Sequence, residues 1–177
     1  MGWRSIKSLK QRLGHFRANQ DGATAVEFAF IALPFFFLLI VIFETAAMLF
    51  TDISLQNGVN QTARLIRTGQ VQTQNISQDG FRKLLCSNVV SYIDCSKVRL
   101  YITKSTSPTF PNRTNMMAAT EKTQQRWEVG AASEWVLVQA SYDWDLFIPS
   151  ISMLNNVGAN KRRLTAGALF RNEPYGG

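Results

Sequence analysis

At 177 residues, 46% hydrophobic and 18% charged, the chain has room for about one domain. Its net charge of +7 divides unevenly: residues 1–22 hold Arg4, Lys7, Lys10, Arg12 and Arg17 against Asp21, a net of +4, and the remainder holds 14 basic and 11 acidic residues, a net of +3. A mild surplus with both signs interspersed excludes a nucleic-acid footprint, and two cysteines with no nearby histidine cannot complete a four-ligand zinc set.

The first predicted element is a basic cytoplasmic leader, 1–22, which also holds His15, the single histidine. From Phe28 to Phe43 no residue is polar or charged, and the run is flanked by Glu27 and Glu44. A bilayer core takes roughly 17–25 mostly apolar helical residues, so this segment reads as one membrane span. Lys and Arg within ~15–20 residues of a span stay cytoplasmic, whereas the first positive charge after Phe50 is Arg64. The expected arrangement is single-pass, with the N-terminus inside and the bulk of the chain outside.

The helix is expected to continue as an amphipathic extension, so that the transmembrane helix and its extension fill 23–69. Leu49, Ile53, Val59, Ala63 and Ile66 recur at helix-compatible spacings, giving a narrow apolar stripe. Arg64 and Arg67 complement the last turn and Gly69 is a natural stop. Pro34 should bend the lipid part. Gly58 reads as a soft spot worth about 1 kcal/mol against alanine.

An extracytoplasmic α+β head is expected over 70–177. It opens with a polar linker, 70–75, and a helix from Ser77 to Ile93 with Phe81, Leu84, Leu85, Val89 and Ile93 at helical spacing. Three strands follow, at 97–104, 134–144 and 163–171, each alternating with period two. That pattern suits a small antiparallel sheet with one face covered by the long helix. The connection 105–133 is longer than an ordinary loop, which points to a ligand or adhesin contact. The connection 146–161 carries apolar residues that suit packing on a neighbour; packing within the same subunit is the alternative. Cys86 and Cys95, nine positions apart, fit a disulfide in an oxidising compartment; two buried thiols are the alternative.

Beyond the span there is no histidine, which removes His-based acid–base chemistry and Ser-His-Asp triads from the head. No Gly-rich phosphate loop occurs. Asp143 and Asp145 flank Trp144, and on a strand two such carboxylates point to one face some 6–7 Å apart, a separation that glycosidases use. A DxD pair on a solvated strand is ordinarily surface, so the expectation is a protein that is not an enzyme and needs no cofactor.

The junction between leader and span is more informative. A secretory signal places its small-residue cleavage site after the apolar core; here Gly22-Ala23-Thr24-Ala25 precede it. A peptidase cutting after Gly22 would act at the cytoplasmic face and leave the helix in the membrane, with Ala23 as the new N-terminus. Glycine lets a peptidase approach the backbone closely. Glu27 would then lie about one helical turn from a fresh amine. A carboxylate at the lipid edge costs up to ~2.5–3.5 kcal/mol if unpaired, and a neighbouring subunit's amine could neutralise it. A plain signal anchor with a snorkelling Glu27 is the alternative.

Asp21-Gly22-Ala23-Thr24-Ala25-Val26-Glu27-Phe28-Ala29, followed by Leu33-Pro34 and a Phe/Leu/Ile run, resembles the TadE-like family, minor pseudopilins of the tight-adherence (Tad/Flp) pilus machinery. Leu55-Gln56-Asn57, the stretch Ala63 to Gln70, and the ending Phe170-Arg171-Asn172-Glu173-Pro174-Tyr175 are similar too. The resemblance implies a pilin-like head and cleavage after Gly22 by a prepilin peptidase, with Glu27 as the assembly glutamate. It implies a place in the bacterial inner membrane with a periplasmic head. The implied partners are that peptidase, other pilins and pseudopilins, and the platform proteins of pilus assembly. The shortness of the chain suits the small TadE or TadF type. The alternative is an uncut, signal-anchored binding or adhesion protein.

Overall fold

A computed structural model of the chain describes residues 22–108, 126–147, 154–158 and 160–175. The architecture of the described residues is α+β: one long helix, two short ones and a three-stranded antiparallel sheet. Helix α1 spans Ala23–Arg67, 45 residues, and is helical on both sides of Pro34. The chain divides into two compact units, Met1–Phe43 and Glu44–Gly177. The second half of α1 therefore belongs to the same unit as the head. Basic residues 1–21, including His15, and the core of the long connection, 109–125, lie outside the described residues, as do 148–153 of the second connection.

In the described part of the first unit most of the helix surface is exposed. The large apolar residues from Val26 to Phe43 are exposed except Leu39 and Val41, which are half-buried, and the most apolar 18-residue window, mean hydropathy 2.7, has no residue buried. A helix apolar all round and largely uncovered by the described residues is built for lipid or for other apolar helices. By length and composition it can cross a membrane once.

In the second unit the helix turns one stripe inward: Met48, Thr51, Leu55, Val59, Thr62, Ala63 and Ile66 are buried. Val59, Ala63 and Ile66 of the expected stripe lie in it, but Leu49 and Ile53 do not, being 54% and 60% exposed. The reason is that polar letters serve in the core. Thr51 donates its hydroxyl to Ala47 O at 2.7 Å and Thr62 donates to Gly58 O at 2.8 Å. Once its hydroxyl is satisfied within the helix, a threonine packs much like a valine. Gly58 is also buried, because α3 runs against it. A Cβ built there would lie 2.5 Å from Val89 Cγ2 and 3.4 Å from Leu85 O.

Gly69, at φ 77°, ends α1 in the left-handed conformation. The expected linker is instead one more helical turn, α2, Gln70–Thr73, which buries Val71. Helix α3, Gln78–Ser87, starts at the expected N-cap: Gly80 N donates to Ser77 Oγ at 3.2 Å. It buries Phe81 and Leu85 but stops six residues short of Ile93. Asn88 donates its side-chain amide to Leu84 O at 2.9 Å, and Val90 N turns to Ser54 Oγ of α1 at 3.0 Å. A 3-10 turn, Cys95–Lys97, leads into the sheet, and Cys86 is joined to Cys95 by a disulfide with a Cα–Cα distance of 6.1 Å.

The sheet is a meander of β1 (Arg99–Ser105), β2 (Trp135–Asp145) and β3 (Lys161–Arg171). Its register aligns Leu100 with Ala140 and Ala166, and Ile102 with Val138 and Ala168. These rows face the stripe of α1 and the apolar side of α3 in one core. Alternation specified the face because a one-residue slip would turn every side chain over. Both edges of the sheet are occupied. Along β1, Ile102 N donates to Arg126 O at 2.8 Å and Glu128 N donates to Ile102 O at 3.0 Å. Along β3, the Gln56 amide of α1 donates to Gly167 O at 3.1 Å and accepts from Gly167 N at 3.2 Å. A side-chain amide thus pairs with the edge as a further strand would, which blunts it against other chains.

Candidate processing and assembly site

Gly22, Ala23 and Glu27 gather at the start of α1. Gly22 forms a 3-10 residue just ahead of the helix, and Ala23 is the first helical residue. All residues from Gly22 to Phe30 are exposed, and a Cβ built at Gly22 would meet no heavy atom within 4 Å. The peptide bond between Gly22 and Ala23 is therefore unshielded by the described residues and carries no side chain on its N-terminal side. The first turn of α1 contains no acid. Glu27 is the only ionisable residue between Ala23 and Phe43, so this stretch of α1 presents one carboxylate on an otherwise largely apolar surface. Near the helix N-terminus that carboxylate is favoured by the dipole; in lipid without a partner it is costly.

Asp143 and Asp145, the other carboxylates singled out in the sequence, stand in ion pairs. Asp143 receives Arg163 Nε at 2.7 Å and Arg163 Nη2 at 3.1 Å, and Arg99 Nη2 lies 2.5 Å away. Burial pushes this carboxyl up, but the hydrogen bonds and charges of Arg163 and Arg99 outweigh it and hold the group below the usual carboxylate range. Asp145 pairs with Lys161 at 3.3 Å. A doubly clamped carboxylate of lowered pKa is a poor general acid or base at neutral pH, and the clamp ties β1, β2 and β3 together.

Three features were not anticipated in their roles. Glu44 closes the apolar run, yet it is 2% exposed. Its Oε1 accepts from Phe147 N at 2.5 Å, fastening the segment after β2 to α1, while Oε2 has no partner among the described residues. Gln56 holds the sheet edge. The third is a clasp between distant stretches of chain. Glu173 N donates to Arg67 O at 2.9 Å, the Arg67 and Glu173 side chains pair at 3.1 Å, and the Tyr175 ring lies over Gly69. Buried Asn172 donates to Val129 O and Ala131 O at 3.1 and 3.0 Å. Burial pushes the Tyr175 hydroxyl up, and it donates to Gly130 O at 3.2 Å. The helix end around Gly69 and the chain's last described residues, two of the stretches on which the family resemblance rests, are thus in contact. The signal for the clasp was the glycine itself, since only glycine admits both the positive φ and the ring.

Comparison with known proteins gives one family: the model described as TadE-like protein matches residues 22–64. No curated protein and no solved structure matches the chain. The match begins at Gly22, takes in Ala23, Glu27 and the whole apolar run, and continues through Glu44 and Gln56 into the buried stripe of the head. Over residues 22–64, about a quarter of the chain and the helix that carries the candidate site, the sequence is similar to TadE-like proteins.

Proposed function

We propose that this chain is a minor pseudopilin of a Tad-type pilus system, cut after Gly22 by a prepilin peptidase and registered in the assembly through Glu27. The observation that carries this reading is the TadE-like match beginning at Gly22, on a helix whose scissile bond is unshielded by the described residues and whose apolar half, up to Phe43, carries one charge, Glu27, at the fifth position of the mature chain. In this reading the chain is inserted in the bacterial inner membrane with the leader cytoplasmic and the head periplasmic. Cleavage leaves a positive Ala23 amine at the helix N-terminus, where the dipole disfavours it. Glu27 of an adjacent subunit, itself costly in lipid, pairs with that amine, and each charge removes the other's penalty. The partners are other pilins and pseudopilins and the assembly platform. The role is structural, not catalytic: Asp143 is spent on Arg99 and Arg163.

N-terminal sequencing of the protein extracted from bacterial membranes tests the cut. Ala23 as first residue supports the reading, and Met1 replaces it with an uncut, signal-anchored binding protein. Glu27→Gln tests the registration separately. Normal processing with loss of the assembled form is expected; assembly at the wild-type level would remove the charge pair from the proposal.

A further inference from the structure

The head exposes few large apolar side chains, and most of them lie at one level. Among the described residues of the second unit these are Leu49, Phe50, Ile53, Leu84, Tyr92, Phe147 and Leu169. Three of them, Leu49, Phe50 and Ile53, are on α1 directly after Glu44. Two more are brought to the same stretch of helix by hydrogen bonds. Phe147 N donates to Glu44 Oε1 at 2.5 Å, and the Tyr92 hydroxyl lies 2.9 Å from Thr51 Oγ1. Trp144 joins these two, with ring centroids 6.5 Å from Tyr92 and 6.4 Å from Phe147, both edge to face. Tyr92 is 53% and Phe147 73% exposed, so the aromatic row is fixed by packing yet open on its outer side.

The length of the apolar run says what covers this level. Phe28–Phe43 is 16 residues, ~24 Å at 1.5 Å per residue, which falls short of a hydrocarbon core of ~30 Å. The next four residues, Glu44 to Ala47, complete that length, with Glu44 only 2% exposed and so kept from lipid, and the following turns, Leu49 to Ile53, fall in the interfacial layer, where aromatic residues concentrate. Asp52 lies at that level and is half-exposed, which suits the wet interface and not the hydrocarbon.

We infer that Leu49, Phe50, Ile53, Tyr92 and Phe147 form an interfacial foot by which the head rests on the lipid surface from which α1 emerges, with Glu44 fastening Phe147 into it. The ligand is the headgroup and upper acyl layer of a phospholipid bilayer. The foot rests on the membrane insertion of α1 and is independent of cleavage at Gly22. It gives the head a preferred height in the membrane, and pulling the subunit out into an assembly must first strip lipid from these side chains.

The test uses the full chain in phosphatidylethanolamine–phosphatidylglycerol vesicles, with a nitroxide on one introduced cysteine at a time: Ile53→Cys, Phe147→Cys, Phe36→Cys in the span and Lys104→Cys on the head. The native cysteines are engaged with each other and are not labelled. Spin-label accessibility to oxygen relative to a water-soluble nickel chelate reads depth. The ratio at Ile53 and Phe147 should exceed that at Lys104 several-fold and fall below that at Phe36. Ratios equal to that of Lys104, with Phe36 still deep, would overturn the foot and leave the span standing. Protection of the Ile53 label from both reagents would assign this surface to a second protein copy and overturn lipid as its ligand. A water-like Phe36 label would remove the membrane reading and the foot with it. Leu49→Cys provides a further exposed site should either foot variant fail to fold.

Discussion

Replacing Gly58 by alanine sets two effects of known size against each other. Alanine in the middle of a helix is worth about 1 kcal/mol over glycine, and helix propensity alone predicts a more stable protein. The tertiary structure predicts the reverse. The new Cβ would stand 2.5 Å from Val89 Cγ2 and 3.4 Å from Leu85 O, where ordinary carbon contacts are ~3.5–4.0 Å. Val89 would have to retreat by about 1 Å, but a β-branched side chain has few rotamers to retreat into. Over-packing of this kind costs about 1–3 kcal/mol, so Gly58→Ala should be neutral to about 2 kcal/mol destabilising. Removing the obstructing methyls restores the propensity gain: in a Val89→Ala background, Gly58→Ala should stabilise by about 1 kcal/mol. The coupling between the two sites is then about 1–3 kcal/mol, within the range found for residues in contact. Denaturant unfolding of the full chain in detergent micelles, followed by tryptophan fluorescence, measures it. Trp127 packs on Phe81 with ring centroids 5.5 Å apart and reports on the core. Equal stabilisation by Gly58→Ala in both backgrounds would show that α3 does not approach α1 at this position.

Other perturbations follow from the contacts of the head. Gln56→Glu keeps the acceptor for Gly167 N but loses the donor to Gly167 O, and should lower the unfolding free energy by about 1–2 kcal/mol; Gln56→Ala losing nothing would argue against the edge pairing. Gly69→Ala meets both a positive φ and the Tyr175 ring, so it should destabilise by about 2–4 kcal/mol and raise amide exchange around Arg67 and Glu173. Asp143→Asn leaves Arg99 and Arg163 facing a neutral group. The loss at neutral pH should be about 2 kcal/mol, less than for a fully buried pair, because the Arg99 side chain is 24% exposed. Because the folded carboxyl is held below its unfolded value of about 3.9, its stabilisation is complete above that pH and is lost as pH falls through the folded value. Wild type should therefore lose stability on acidification below about pH 4 more steeply than Asp143→Asn. Replacing Cys86 and Cys95 together by serine opens a loop with a sequence separation of 9 and should cost about 2–3 kcal/mol, measured by the same unfolding assay.

Much of this architecture was legible in one dimension because its causes are local. The apolar run, the stop at Gly69 and the N-cap at Ser77 depend on composition and on residues a turn apart. The alternating strands set their own inward face. The candidate site at Gly22, Ala23 and Glu27 was legible for the same reason: its meaning lies in the order of small residues, acid and apolar run along one helix. What misled was the use of hydrophobic letters as a proxy for burial in the outer half of α1. Leu49 and Ile53 face outward while Thr51, Gly58 and Thr62 face inward. A threonine that bonds its own helix costs little to bury, and a glycine marks where another element comes close. No hydropathy value encodes either condition.

The sequence by itself determined a single candidate span with one acid at its start, an α+β head behind it and the faces of its strands, since each follows from short-range pattern. Only the tertiary structure decided which stripe of α1 meets the sheet, that Gln56 closes the edge of β3, that Asp143 is held by two arginines and that Glu44 fastens Phe147. Those outcomes depend on residues up to 111 positions apart meeting within a few ångströms, and a pattern read along the chain carries no information about which distant groups will be there to satisfy a buried charge or an open strand edge.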